Sequence, residues 1–480
     1  MNNFYNLLKK KIICNSKKDK IIISDKFKEY KWSQLFKLAN QKKRLFIKKK
    51  INCVPIIVDR NIETVSSILG AIMAKKTFCT ISNRIPRSKL KIILLELNSS
   101  FYINHSKNNY KLNLKKKISS NSKKFKEIFY VLFTTGSSGE PKGVKLSYGN
   151  IMNTIIWSKK FINWKKNDII GIATDFSFDI SIFDLISGLY FNIPMHILSQ
   201  PSNPILSFDE INRKKITSIF SVPNFFSNFS RYKIINKDKI FLRRIISGGD
   251  FFPKKFIKDW KINQKHVDII NCWGPTETSI VNTFYKLKKK DYRNINNKDS
   301  IPVGKSDKMM PIVILKNNLP VKKNSIGEIC MLGKCVCEGY LNNNIGLNNF
   351  IKYKNKKGYL TKDLGYFDKK KFLHITGRID NMIKISGYRI DGNEIQNLTN
   401  KIKNINNSIA FAIQKSNYIN ELCLAVETFS SKNIINEIRK KLIKYLPSYS
   451  LPKKILIYKK FPLNINNKID RNKIKKKFTN

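Results

Sequence analysis

Short apolar runs of strand length alternate with periodic segments of helix length along most of this chain, and few architectures accommodate that alternation. Val54–Val58, Phe129–Phe133, Ile169–Ala173, Ile219–Val222, Ile245–Ser247 and Val267–Asn271 read as strands. Trp32–Lys48, Ile62–Ala74 and Gly149–Phe161 place their apolar residues at helical spacing. The pattern predicts an α/β fold with largely parallel sheets. At 480 residues the chain is too long for one core. From about Ile301 the texture changes to short strands with turns, as in Gly327–Leu332 and Phe372–Ile375. After Arg378 it becomes a compact α+β pattern with a lysine-rich end. A boundary near Ile379–Asn381 predicts a large domain over 1–379 and a small one over 380–480.

Composition narrows the class less than its extremes suggest. A hydrophobic fraction of 42% excludes a disordered chain. Lys and Arg number 92 against 33 Asp and Glu, a net charge of +59. A basic nucleic-acid-binding protein with steep salt dependence is therefore one reading. The lysines, however, are spread along the whole chain with abundant Asn and Ile, as AT-rich coding would supply, and no nucleic-acid-binding motif accompanies them. The 8 cysteines form no CxxC pair and the 4 histidines are dispersed, so no zinc spacing appears and reduced cytosolic thiols are expected. Leu7-Leu8 and Ile12-Ile13 are interrupted by Lys9–Lys11, unlike a signal peptide. The most apolar stretch, Ile169 to Leu198, contains Asp175, Asp179 and Asp184, which a bilayer would penalise; a soluble cytoplasmic protein is expected.

The strongest local signal is Phe133-Thr134-Thr135-Gly136-Ser137-Ser138-Gly139-Glu140-Pro141-Lys142-Gly143. It follows a strand-like run and is expected to precede a helix. Its glycines permit tight turns, its hydroxyls and free N–H groups can wrap phosphate oxygens, and Lys142 adds a cation. A flexible Gly/Ser surface loop is the plainer alternative. The P-loop NTPase pattern is excluded, because no Lys-Ser/Thr pair opens the following helix.

With further segments in order, this stretch resembles the adenylate-forming superfamily of amino-acid adenylation domains, acyl- and aryl-CoA ligases and luciferase-like enzymes. Those segments are Tyr30–Leu35, Leu69–Ile81, Asn271-Cys272-Trp273-Gly274-Pro275-Thr276-Glu277-Thr278, Gly327-Glu328-Ile329, Tyr359–Leu364, Gly377-Arg378-Ile379-Asp380 and Asn467-Lys468-Ile469-Asp470-Arg471. The resemblance implies stacked α/β sheets and a β-rich subdomain in the large domain, a mobile small domain, and ATP with Mg²⁺ as cofactors. The chemistry it implies is attack of a carboxylate on the α-phosphate of ATP, where positioning and charge neutralisation do most of the work. Lys468 would bridge carboxylate and phosphate, although a lysine in a lysine-rich tail can be mere surface. Thr134, Thr135, Gly136, Ser137, Ser138, Gly139, Lys142 and Thr276 would surround the phosphates, and Gly249 and Asp250 would also bind the nucleotide. Glu277 would help hold Mg²⁺. Asn271 and Trp273 would contact adenine and Cys272 between them would also bind the nucleotide, Trp273 being open as well to a plain core role. Asp363 would bind the ribose hydroxyls with support from Arg378.

Asp380 stands where the resemblance places a hinge between two poses. Several positions depart from the family pattern. Lys362 replaces a usual glycine, Asp250 a glutamate, Met382 a glutamine and Asn467 a glycine.

The acid is addressed by Phe178-Asp179-Ile180-Ser181. An aspartate in apolar surroundings is costly unless it meets a cation, and the resemblance assigns Asp179 to the α-ammonium of an amino acid. A helix cap is the alternative. Ile180, Phe183, Ser221, Ile246, Gly248, Cys272, Ile280 and Val281 would line the rest of the pocket. None is charged, so a small or medium neutral amino acid is expected. The chain ends shortly after the Lys468 motif and carries no obvious carrier serine motif, so the expected acceptor is the phosphopantetheine thiol of a separate carrier protein. The layout resembles D-alanine–carrier protein ligases and free-standing peptide-synthetase adenylation proteins. An acyl- or aryl-CoA ligase, and a degenerate relative that only binds nucleotide, stand as the other readings.

Overall fold

The computed structural model describes residues 2–17, 20–49, 51–105, 125–135, 141–236, 238–250, 254–288, 291, 301–322, 324–342, 346–380, 382–385, 387–416, 419–429, 433–462 and 469–479. The chain separates into two compact units. One comprises Met1–Asn83, Ile93–Phe133 and Lys142–Ile379; the other comprises Arg84–Ile92, Thr134–Pro141 and Asp380–Asn480. The last change of unit falls between Ile379 and Asp380. The two short stretches that join the second unit from earlier in the chain have no signature in the sequence pattern.

The first unit is built on two largely parallel sheets. The larger has eight strands in the spatial order Thr283–Lys286, Asp268–Trp273, Arg244–Ser247, Ser218–Ser221, Ile170–Ile172, Met195–Ile197, Ile21–Ser24 and Glu29–Lys31. All its pairings are parallel except the outermost at each side. The second orders Ile103–Asn104, Cys53–Val58, Thr77–Ser82, Ile128–Thr135 and Pro141–Ser147. A six-stranded antiparallel sheet of the strands between Ile312 and Arg378 completes the unit. The fold is thus mixed α/β with a β-rich subdomain, in the class that the alternation of segments predicts.

Local chemistry explains several of these elements. The helix Trp32–Lys48 has the ends its periodicity suggests. The helix Ile62–Met73 starts where Asn61 accepts a hydrogen bond from Thr64 N, and it is buried all round between layers. One expectation fails here. The glycine-rich segment does not lead into a helix: Pro141–Ser147 is a strand, buried at Pro141, Gly143, Val144 and Leu146. Proline is tolerated at a strand's first residue, where no ladder N–H is needed. Only then does Ser147 cap the helix Tyr148–Ile162, exchanging hydrogen bonds with Asn150 at 3.2 and 2.8 Å. Arg60, just after the strand Cys53–Val58, donates to the carbonyls of Ile172, Thr174 and Leu198 at 2.5, 3.0 and 2.6 Å. It thereby ties one sheet to the carboxyl ends of two strands of the other.

The second unit contains the hairpin Met382–Ile385 with Tyr388–Asp391 and a three-stranded sheet of Asn407–Ser416, Ile419–Glu427 and Lys454–Tyr458. The helices Gly392–Asn400 and Ile434–Tyr445 share one apolar cluster through Ile395, Ile438 and Leu442. The helix Arg471–Thr479 buries Ile474 and Phe478 in a second cluster with Phe411 and Cys423. Among the described residues no helix is long and apolar enough to cross a membrane.

Candidate active site

Parallel strands deliver their carboxyl ends to a common edge, and open α/β sheets bind ligands there. In the eight-stranded sheet Ser221 pairs with Ser247 and Ser247 with Asn271, so three strands stop nearly level. Beyond that level the chain is crowded. A Cβ on Gly248 would lie 2.5 Å from the Cys272 carbonyl oxygen and 2.6 Å from Cys272 Sγ, so only glycine lets the two strand ends approach this closely. Ser279 and Ile280 adopt φ of +70° and +79°, a costly conformation for a β-branched residue. Side chains hold that turn in place. Ser279 Oγ donates to Cys335 O at 2.6 Å, Thr154 Oγ1 donates to Ser279 O at 3.0 Å, and Asn282 bonds Thr278 at 2.5 and 2.6 Å. Val281, Ile280, Cys272, Ile246 and Ser221 are all buried around this edge.

Asp179 is the first residue of the helix Asp179–Phe191, and Phe178, not Asp179, is its cap. Its carboxylate accepts a hydrogen bond from Thr276 Oγ1 at 2.7 Å, joining the helix start to the turn Thr276–Thr278. No cation pairs with Asp179 among the described residues. Loss of hydration pushes its carboxyl up to about 6, with Glu277 adding to the rise and the Thr276 hydroxyl and helix N–H groups opposing it. Ile180 is buried beside it, and Phe183 is fully buried with its ring edge-on to Phe220 at 5.6 Å.

A second carboxylate sits in different company. Asp363 lies in the strand Lys356–Phe367, opposite Arg378 of the strand Leu373–Arg378. Arg378 ion-pairs with Asp363 Oδ1, and Trp273 Nε1–H donates to Asp363 Oδ2 at 2.9 Å. The indole of Trp273 therefore has a polar task that neither adenine stacking nor core packing anticipates. Lys362 has φ +61°, which explains why glycine suits this position: the backbone is left-handed. Its N–H donates to Glu328 Oε1 at 2.8 Å and its carbonyl accepts from Ile379 N at 2.9 Å. Asn271, expected to read adenine, donates its amide to Pro302 O at 2.9 Å.

Glu277 is buried, and Tyr340 OH donates to its Oε1 at 3.1 Å. The Tyr340 hydroxyl also bonds the Tyr359 hydroxyl at 3.1 Å, and Lys142 Nζ lies 5.9 Å from the Tyr340 ring centre. One carboxylate supported by phenols next to a lysine suits a hard cation whose other ligands are phosphate oxygens and water. Among the described residues no group of three or more His, Cys, Asp or Glu side chains offers a complete metal site.

Sequence reasoning missed Tyr340, which stands outside every recognised segment and whose hydroxyl reveals itself only through the fold. It also missed Tyr130, whose buried hydroxyl has no hydrogen-bond partner among the described residues and whose titration is raised by burial and by Asp179. Gly249 turns with φ +82° and leads to Asp250. Thr134 and Thr135 end the strand Ile128–Thr135, while Gly136, Ser137, Ser138, Gly139 and Lys468 lie outside the described residues. Asp380 opens the last segment of the second unit. One relay elsewhere mimics a nucleophilic site: Ser24 Oγ meets His196 Nδ1 at 2.6 Å and His196 Nε2 meets Glu210 at 2.7 Å. All three are buried, which marks the relay as structural.

Comparison with known proteins bears on this geometry. The family model described as AMP-binding enzyme matches residues 12–341. Bacitracin synthase 3 of Bacillus licheniformis is 29% identical over 353 residues, 72% of this chain and 5% of its own length. The chain therefore spans a small fraction of that relative. The D-alanine–D-alanyl carrier protein ligase of the same species is 26% identical over 366 residues, 74% of this chain and 72% of that protein. The structure of o-succinylbenzoate CoA synthetase from Bacillus subtilis shares the fold, with a TM-score of 0.83 at 17% identity over 98% of each chain.

Proposed function

The chain belongs to the AMP-binding enzyme family, and from that premise we propose that it activates a small neutral amino acid with ATP and passes it to a carrier-bound thiol. The observation that carries the substrate reading is Asp179. A carboxylate that meets no cation among the described residues and is pushed up to about 6 by loss of hydration regains stability when a cation arrives. The α-ammonium of an amino acid is that cation, and the hydroxyl of Thr276 at 2.7 Å keeps the carboxylate aimed. No charged side chain stands among Ile180, Phe183, Ser221, Ile246, Gly248, Cys272, Ile280 and Val281, which favours a neutral side chain on the substrate. The D-alanine–D-alanyl carrier protein ligase is a relative whose name fits both parts of this reading.

In the first half-reaction the substrate carboxylate attacks the α-phosphate, forming aminoacyl-AMP and releasing pyrophosphate. Asp363, held by Arg378 and Trp273, orients the ribose. Glu277 would hold Mg²⁺, which when bound supplies charge neutralisation to the phosphates. Lys142, the segment Thr134–Gly139 and Thr276 contact phosphate, Gly249 and Asp250 contact the nucleotide, and Lys468 balances charge between carboxylate and α-phosphate. The adenylate then meets a phosphopantetheine thiol after the second unit swings about Asp380.

The test is amino-acid-dependent exchange of labelled pyrophosphate into ATP across L- and D-amino acids and a panel of fatty and aryl acids. Exchange with one small neutral amino acid, lost in Lys468→Ala and Asp179→Ala, supports the proposal. Exchange only with an acid that lacks an ammonium refutes the role of Asp179 and favours a CoA ligase.

A further inference from the structure

The opposite edge of the eight-stranded sheet carries a cleft that adenylation leaves unused. It lies where the parallel strands begin, about one strand length from the carboxyl edge, or ~13 Å for the four residues of Arg244–Ser247. Its volume is about 600 Å³, within the roughly 300–1,000 Å³ of small-molecule sites. Lys215, Lys239, Arg243 and His266 line it, and no acidic residue does.

The wall is a short extended strap, residues 239–243, with a two-residue period. Ile240 and Leu242 are buried at 1% and 0%, whereas Phe241 is 45% exposed and Lys239 is exposed beside it. The alternation turns Lys239, Phe241 and Arg243 to the side away from the core.

The strap is also held in place from outside itself. Asn212 Oδ1 accepts from Phe241 N at 2.7 Å, Gln264 Oε1 from Ile240 N at 3.2 Å, and His266 Nε2 bonds the Ile240 carbonyl at 3.0 Å. Arg243 is fixed by Asp168 Oδ1 at 2.7 Å and by Asn167 Oδ1 at 3.2 Å. Asp168 is shared by Arg243 and Arg244, so positive charge remains in excess here. Lys215 and Lys239 have no acidic partner among the described residues.

We propose that this cleft is a second ligand site, separate from the adenylation site, for a nucleoside phosphate, with the base on Phe241 and the phosphate among Lys215, Lys239 and Arg243. A ring face recognises any base by stacking, and ammonium and guanidinium groups recognise phosphate. A cleft of about 600 Å³ suits a mononucleotide better than a nucleic-acid strand, which would need a continuous groove.

The experiment is equilibrium dialysis of the full chain with labelled AMP. Wild-type protein binds two AMP per chain. Lys215→Glu/Lys239→Glu binds one and keeps its pyrophosphate exchange within about twofold. Asp363→Ala also binds one, through the cleft alone, so the count there stands even if the adenylation reading fails. Phe241→Ala weakens the second AMP by tenfold or more and leaves inorganic pyrophosphate binding unchanged. The charge-matched control Lys352→Glu/Lys354→Glu binds two. An AMP count in Lys215→Glu/Lys239→Glu no lower than in wild-type protein, no AMP bound by Asp363→Ala, or equal loss in the control overturns the proposal. So does displacement of the second AMP by a single-stranded oligonucleotide at lower concentration than by AMP itself.

Discussion

The strands Ser218–Ser221, Arg244–Ser247 and Asp268–Trp273 begin and end beside an aspartate, and the two aspartates are treated in opposite ways. At the amino edge Asp168 is buried and fully answered. Arg243 at 2.7 Å, Arg244 at 3.6 Å, Thr217 Oγ1 at 2.9 Å and Lys165 N at 2.7 Å all face its oxygens. At the carboxyl edge Asp179 receives the Thr276 hydroxyl at 2.7 Å and no cation among the described residues. The first arrangement completes its own charge balance, while the second leaves a balance for a ligand to complete. Backbone strain does not divide in the same way: Ser279 and Ile280 at the carboxyl edge have φ of +70° and +79°, and Lys215 at the amino edge has φ of +52°. A protein tolerates unmatched charge where a bound ligand uses it.

Removing each carboxylate should therefore act with opposite sign. Asp168→Ala leaves two guanidinium groups without the buried carboxylate they share, Asp268 being the remaining anion that acts on Arg244. Breaking a buried pair costs roughly 3–5 kcal/mol, and the partial exposure of Arg243 points to the lower end, about 3 kcal/mol. A urea midpoint unchanged in Asp168→Ala would remove the contrast altogether.

Asp363 stands between these extremes, with one cation and one indole N–H. Trp273→Phe keeps the ring and deletes the donor. Hydrogen bonds to charged groups contribute about 1.5–3 kcal/mol, so KM for ATP should rise at least tenfold. KM for the amino acid should hold within about twofold, because Asp179 is untouched. Equal rises in both constants would mean that Trp273 supports the whole carboxyl edge rather than Asp363.

Asp179→Asn should abolish exchange and yet stabilise the fold. The wild-type carboxyl titrates at 3.8 when unperturbed and at about 6 in the folded protein. Above pH 6 the folded state carries the full penalty of that difference, and below pH 4 both states are protonated and the penalty vanishes. The variant should gain roughly 1–3 kcal/mol at pH 8, allowing for partial exposure, and nothing at pH 3.5. A gain that persists at pH 3.5 would mean that the carboxylate's charge is not the source.

Why the sequence revealed some of this and not the rest follows from range. The alternation of apolar runs marks the strands and their helices because burial of a strand or helix face is written in consecutive residues. Asp179 stands out because a carboxylate in apolar company is locally anomalous, whereas Glu277, Asp363 and Arg378 are marked by the segments that resemble the adenylate-forming superfamily. Tyr340 carries no such anomaly; its hydroxyl matters because Glu277 lies 3.1 Å away across 63 positions of chain. The strand Pro141–Ser147 was hidden because its glycine and lysines read as loop, and only its partner strand supplies the reason for extension. Trp273 was legible as an aromatic, but its donor role depends on a carboxylate 90 residues further on.

The smallest effect tests whether the left-handed backbone beside Asp363 serves the ligand. Lys362, at φ +61°, stands next to Asp363 and occupies a backbone conformation that costs an L-residue about 1–2 kcal/mol. Lys362→Gly removes that cost but enlarges the freedom of the unfolded chain by about 0.4–1 kcal/mol, so a net stabilisation of roughly 0.5–1 kcal/mol is expected. The substitution has an electrostatic signature as well. Burial raises the Glu328 carboxyl, and the Lys362 N–H and ammonium oppose that rise. Glycine keeps the N–H bond at 2.8 Å and loses the ammonium, so Glu328 should titrate higher in Lys362→Gly, as followed by the carboxyl resonance in NMR. A more stable variant with a higher Glu328 pKa and unchanged KM for ATP would show that Lys362 contributes strain without a matching role in nucleotide binding. A raised KM would instead make the ammonium part of the nucleotide site, and the strain at this position would then be retained for function.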